Sequence, residues 1–258
     1  MKYIAITFDD GREDNYSVAF PILKNKGYNA TVYCTTGFID ETWQKKNDWY
    51  SAENHLSIEQ LKELKEAGWE IALHGDKHIT EISDTKNAIE KIKTWGLFKG
   101  RIGHSLPDSA SCADELEKVL KELYPETISY IRFGRGISTK SFKNRLLFAC
   151  YTYLHLQWAY NCFNKKSVNY INDLNPKKLY SVVIRKNDNP KMISKFIDKL
   201  PDGAFVVLMF HSIHKDQNLY ENDPWNWSET NFSSFCDNMS KLKNISVVTV
   251  EKIMEGMK

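Results

Sequence analysis

Cysteine is scarce and badly placed for cross-linking: Cys34, Cys112, Cys150, Cys162 and Cys236 are widely spaced, odd in number and form no CxxC pair. This excludes a disulfide scaffold and a zinc knuckle, and it reads as reduced thiols in the core of a protein kept in a reducing compartment. An excess of one charge is also missing. The formal net charge is +2 over 258 residues, which gives no support to a nucleic-acid partner. No linker divides the chain, so a single domain is expected. The strand pattern of MKYIAITFDDG begins almost at Met1 and leaves no room for a basic, apolar and cleavable export signal, so a cytoplasmic location is expected. Long hydrophobic runs are absent with one exception, LLFACYTYLHLQWAYNCFN at residues 146–164, which carries no formal charge over 19 residues. Its length would allow a membrane span. Thr152, His155, Gln157, Asn161 and Asn164 interrupt it, however, which favours a buried or interface-lying helix and at most peripheral membrane contact through 146–164.

What is present is an alternation. KYIAITF, NATVYCTTG, WEIALHG, RIGHSLP, ISYIRFG, KLYSVVIRK, AFVVLMFH and ISVVTV read as strands, and helix-period segments separate most of them. The clearest of these is SIEQLKELKEAG, with Ser57 as N-cap, Gln60 in the capping-box position and Gly68 just past the end. Seven or eight β/α units with short connections predict a parallel sheet, and in one undivided chain they favour a closed α/β barrel. In such a fold the ligand site lies at the strand C-termini. Asp9 and Asp10 follow the first strand, His74, Asp76 and His78 the third, and His211 and His214 a late one, so the fold alone would bring these residues to one face.

A lone histidine at a strand end is usually a hydrogen-bonded structural residue. Two imidazoles in HGDKH together with a carboxylate from TFDDG change the reading, because two histidines and one carboxylate bind a divalent ion while leaving positions open for water. Adjacent aspartates on an extended strand point to opposite faces, so the chain must turn at Asp9-Asp10, and Gly11 permits the turn. One aspartate can then ligate the ion and the other can act as general base.

TFDDG at the first strand, ALHGDKH after the GWEI strand, and VVLMFH at a late strand resemble, in type and order, the motifs of the polysaccharide deacetylases, carbohydrate esterase family 4 with the NodB-homology domain. The resemblance runs from Tyr3 to about Val250. It implies a distorted (β/α)7-type barrel as one domain over residues 1–258, with the aromatic-rich segment 141–176 as an insertion. It also implies a hydrolase that removes an N-acetyl group from an acetamido sugar, free in a glycan or linked to a lipid or nucleotide. On this resemblance Asp9 is the general base, Asp10, His74 and His78 hold one divalent ion, and His211 is the acid that protonates the leaving amine. The nucleophile is a water on that ion, taken as Zn2+ with Co2+, Mn2+ or Ni2+ as substitutes. Leu208 would wall the acetyl-methyl pocket. The middle of the chain departs from the family pattern. HSLPDSA, with Asp108, is favoured for the oxyanion donor over YIRFGRG, while Arg132 is the candidate cation beside Asp9; an ordinary structural arginine remains an equal alternative. Trp225 and Trp227 suit either sugar stacking or barrel packing. His55, His104 and His214 are read as structural. Two other functions stay open: hydrolysis of a non-sugar amide on the same barrel, and an inactive glycan-binding relative.

Overall fold

The computed structural model describes residues 1–43, 54–107, 113–134, 141–216 and 223–256. The chain opens with β1 (Lys2–Asp10), buried on both faces after its first turns, as its near-continuous apolar run requires. A π-helical turn (Asn15–Ala19) then leads without a break into α1 (Phe20–Asn25), with Pro21 in its first turn. Next come β2 (Thr31–Cys34), α2 (Thr36–Ile39) and α3 (Ile58–Glu66), the last started by the expected Ser57/Gln60 capping box. The alternation continues through β3 (Glu70–Leu73), α4 (Ile82–Thr94), β4 (Ile102–Ser105), α5 (Ala113–Glu122) and β5 (Ile128–Arg132).

Two helices follow in succession, α6 (Phe142–Leu154) and α7 (Gln157–Asn164), parted at His155 by a left-handed backbone with φ +50°. The uncharged run at 146–164 is therefore broken in two, and no described helix is long and apolar enough to cross a membrane. The chain then passes through β6 (Asn169–Tyr170), β7 (Ser181–Val183), α8 (Pro190–Asp198) and β8 (Ala204–Phe210). A short parallel pair, β9 (Ser212–His214) with β10 (Asn226–Ser228), precedes α9 (Glu229–Met239). The C-terminal run expected as one strand divides into β11 (Ile245–Val247) and α10 (Val250–Glu255), because the Thr249 side chain caps the amide of Lys252 and starts a helix there.

Strands β5-β4-β3-β2-β1-β8 lie side by side, and β7 joins the far edge of β8, all of these pairings being parallel. Irregular backbone bonds close the remaining gap. Phe133 N–H donates to Leu179 O at 2.7 Å, Leu179 N–H to Ile131 O at 2.9 Å and Ser181 N–H to Gly134 O at 2.9 Å. The result is the expected distorted barrel of seven parallel strands, with antiparallel β6 on β8 and β11 beside the first turns of β1. Strand alternation sorts two cores. Ile4, Ile6, Phe8, Val206 and Leu208 face the surrounding helices, while Ala5, Tyr33, Ala72, Tyr130, Phe205 and Val207 fill the barrel, with Val250 and Ile253 of α10 plugging its base. The opposite, C-terminal end is left to polar residues. Of the described cysteines, all are free; Cys34 and Cys236 are buried as expected, but Cys162 is exposed.

Candidate metal and acid-base site

The site begins where β1 stops being a strand. Asp10 and Gly11 both adopt φ +73°, a left-handed conformation that costs an aspartate little and a β-branched residue much more. The turn brings both carboxylates to one imidazole: His74 Nε2 lies 3.8 Å from Asp9 Oδ2 and 3.6 Å from Asp10 Oδ1. Space at Gly11 is tight as well, since an added Cβ would stand 3.1 Å from Cys34 Cβ and 3.1 Å from Ile39 Cδ1.

The loop after β3 is curled around one carboxylate from α4. Asp84 accepts the backbone N–H groups of Asp76 and Lys77, each at 2.8 Å, and Gly75 (φ +83°) leaves the room it needs. A Cβ at Gly75 would sit 2.3 Å from Asp84 Oδ2. The curl carries His78 (φ +54°) back over His74, so that His78 Nε2 is 3.5 Å from Asp10 Oδ1. Asp76 serves this loop rather than the site: its carboxylate accepts from Thr36 Oγ1 at 2.7 Å and pairs with Lys91 at 2.8 Å.

One atom each from Asp10, His74 and His78 lies within 4.8 Å of the other two. Ligands on a tetrahedral ion with bonds of about 2.0–2.1 Å stand roughly 3.3–3.5 Å apart, so the spacing fits a small divalent cation. The protonation pattern fits as well. His74 Nδ1 lies 2.8 Å from the Ser105 carbonyl, which can only accept, so Nδ1 carries the proton and Nε2 turns a lone pair toward a carboxylate. Burial, aided by the charge of His78, lowers His74 to about 3 and keeps it neutral. Asp10 Oδ1 has no hydrogen-bond donor among the described residues. Two acceptor atoms facing each other in a buried place call for a cation between them.

Arg12 holds the other oxygen of Asp10. Buried to 1% exposure, it reaches Asp10 Oδ2 from Nε (3.4 Å) and Nη2 (3.2 Å), and its Nη1 donates to Ser212 and Asp223. Burial raises the Asp10 pKa, but the charge of Arg12 beside it outweighs this and holds the carboxyl well below its ordinary range. Arg12 and its neighbour Asn15, whose Nδ2 donates to the His211 carbonyl at 2.8 Å, are functional neighbours that the sequence reading missed. The signal for Arg12 was its position directly after DDG; Asn15 gave none.

Asp9 is paired with Arg132 at the end of β5, Nη2 to Oδ2 at 2.5 Å. Arg132 is itself fixed by Ser105, by Ser181 Oγ at 3.1 Å and by the Tyr33 ring, 4.7 Å below its guanidinium carbon. His211 stacks on Trp225 at 5.0 Å, and Arg185 lies over the same indole at 5.3 Å. Burial lowers His211 to about 4, against the opposing pull of Asp10 and Asp9.

Leu208 is corrected. It is fully buried in the helix-facing core, so it walls no pocket at the site; with a side-chain period of two, the inward residue of β8 nearest His211 is Met209. The tryptophan pair divides: Trp227 is buried among Phe210, Phe232 and Phe235, while Trp225 is half-buried beside His211. Asp108 and Arg135 lie outside the described residues. His104 is buried with Nδ1 3.2 Å from Leu73 O, His214 pairs with Asp14 at 3.2 Å and His55 stacks on Phe38, each as structural residues do.

A family model described as "Polysaccharide deacetylase" matches residues 1–154. The protein YxkH of Bacillus subtilis (strain 168), named for polysaccharide deacetylation, is 36% identical over 78 residues, 30% of this chain and 24% of that one. The match thus spans about a quarter of that curated relative. Among solved structures, the Xyl-CE4 domain of a multidomain xylanase from the hindgut metagenome of Trinervitermes trinervoides superposes with a TM-score of 0.54 at 13% identity, covering 99% of this chain and 90% of that domain. The polysaccharide deacetylase Bc1974 from Bacillus cereus gives 0.50 at 11% identity, with 96% and 92% covered. At such identities the superpositions speak for the fold.

Proposed function

Since the chain belongs to the polysaccharide deacetylase family, with Asp9, Asp10, His74 and His78 inside the matched residues 1–154, we propose that it is a metal-dependent hydrolase that removes the acetyl group from an acetamido sugar. One observation carries the reading: the unpartnered Asp10 Oδ1 facing two imidazole nitrogens, beside a second carboxylate and a third imidazole. Asp10, His74 and His78 would hold the ion, which when bound supplies Lewis acidity toward the acetamide oxygen and acidifies water.

The residues around it divide the proton transfers. Asp9, oriented by Arg132, accepts a proton from the attacking water. His211 delivers a proton to the amide nitrogen, so that the C–N bond breaks to give acetic acid and a neutral amine; the proton taken by Asp9 balances the one that His211 gives, and the acid then ionises to acetate in water. Donation requires the charged imidazolium, a form that burial opposes and that the neighbouring Asp10 and Asp9 carboxylates favour. Trp225, stacked on His211, keeps that ring aimed, and Asn15 anchors its backbone.

The test is acetate release from a panel of acetamido sugars and simple acetamides with added Zn2+ or Co2+. Turnover on sugars supports the proposal. Turnover on other amides alone would move the substrate off sugars, and none on any amide would leave a binding protein.

A further inference from the structure

Large apolar side chains left exposed are concentrated in one place. Of the eight among the described residues, six (Phe142, Leu146, Tyr153, Leu154, Trp158 and Tyr170) fall between positions 142 and 170. Helical periodicity explains the grouping. Phe142, Leu146, Ala149 and Tyr153 recur at the four-three-four spacing of one helix face, while Leu147 and Tyr151 on the other face are buried, Tyr151 against Tyr160 and Phe163 of α7. The α6–α7 hairpin is therefore apolar on both sides, with one side facing outward: Phe142 is 81% exposed, Tyr153 75% and Trp158 56%.

Along this segment of the chain the charge has one sign. Residues 127–172 contain no aspartate or glutamate, whereas Lys143 and Arg145 flank the stripe on α6 and exposed Lys165 and Lys166 end α7. We propose that this face seats the protein on an anionic lipid bilayer, with the aromatic and leucine side chains at the acyl boundary and the basic residues among the headgroups. Aromatic and aliphatic residues on one face with flanking cations are what an in-plane interfacial helix presents. A second copy of the chain fits less well, because a two-fold pairing of the face would set its basic residues against themselves.

The inner side of the same helix, α6, lies next to the chemistry. Phe148 of α6 packs under Arg185 at 4.7 Å, Arg185 lies over Trp225 at 5.3 Å, and Trp225 stacks on His211 at 5.0 Å. A bilayer on the outer side of α6 would leave that helix between the lipid and the proposed site, so a sugar carried on a lipid would have to reach past it; this extension rests on the deacetylase reading, while the membrane contact does not.

Co-sedimentation of the full chain with phosphatidylcholine vesicles, with and without phosphatidylglycerol, tests the contact without reference to turnover. Pelleting should require phosphatidylglycerol. Phe142→Ser with Tyr153→Ser, and separately Lys143→Glu with Arg145→Glu, should each weaken it by about tenfold or more. Because these side chains are exposed, thermal midpoints should stay at the wild-type value. Failure to pellet, equal pelleting on neutral and anionic vesicles, or variants that pellet like wild type would overturn the proposal. So would a wild-type dimer on gel filtration that the aromatic substitutions convert to monomer without any vesicle binding.

Discussion

Asp10 has two oxygens with two neighbourhoods: one faces the imidazoles of His74 and His78, and the other is held by Arg12. The arginine fixes the carboxylate in place without entering the cluster, so its loss should be read in affinity for metal. Arg12→Gln is expected to weaken Zn2+ or Co2+ binding by about 10–100-fold in competition with a chromophoric chelator, the size usual for a group that orients a ligand from behind. Unchanged affinity would reduce Arg12 to a structural part. The proposed ligand residues stood out in the sequence because their chemistry is carried by residue type and by short spacings, TFDDG and HGDKH. Their supports were not. Asn15 reaches His211 across 196 positions, and Asp84 reaches the HGDKH loop from another helix, contacts that only the folded chain creates. Leu208 shows the cost of being off by one: a strand turns each next side chain to the other face, and Met209 is the residue that points inward.

At the scale of elements, the loop after β3 sets the geometry of two of the three proposed ligands. Gly75 makes a sharp test when paired with Gly96, since both have positive φ (+83° and +74°) but only Gly75 is crowded, by Asp84. Gly96→Ala should cost about 1 kcal/mol of backbone strain and leave metal affinity alone. Gly75→Ala must also displace Asp84 and should lower both the thermal midpoint and metal affinity. Equal behaviour of the two variants would mean that the curl of this loop is not held by Asp84. The regular elements were legible where periodicity and caps agree, as in β1, β8 and α3. Elements of three to six residues, β9, β10 and α10, were not, because pairing partners and the Thr249 cap decide them.

Across the whole molecule, a polar column descends the barrel from the site to its base. Asp9 meets Arg132, Arg132 lies on Tyr33, Tyr33 bonds to Tyr130 at 3.0 Å, and Tyr130 donates to Glu70. Glu70 also accepts from Thr31 and from the amide of Glu251 at the start of α10, tying the plug to the strands. Burial raises Glu70 from 4.5 to about 7 in spite of these bonds. The folded state therefore keeps a proton that the unfolded chain releases, so the contribution of Glu70 to stability is complete below pH 4.5 and is lost as pH rises through about 7. Buried His74, His104 and His211, lowered to about 3, 3 and 4, push the other way at acid pH, so the comparison must be a difference. Glu70→Gln, which cannot ionise, should gain stability relative to wild type between pH 5 and 7 and level off above, by a few kcal/mol at most. A constant difference across that range would place the carboxyl in a more polar setting than its burial indicates.

Asp10, His74 and His78 are proposed to hold one divalent cation while Asp9 and His211 stand aside from it to move protons. Titration of Co2+ into the metal-free protein, followed by its visible absorption, addresses this most directly. One equivalent should bind to wild type and to Asp9→Asn, the latter without turnover, and none should bind tightly to His78→Ala. Binding that survives His78→Ala, or that disappears in Asp9→Asn, would contradict it.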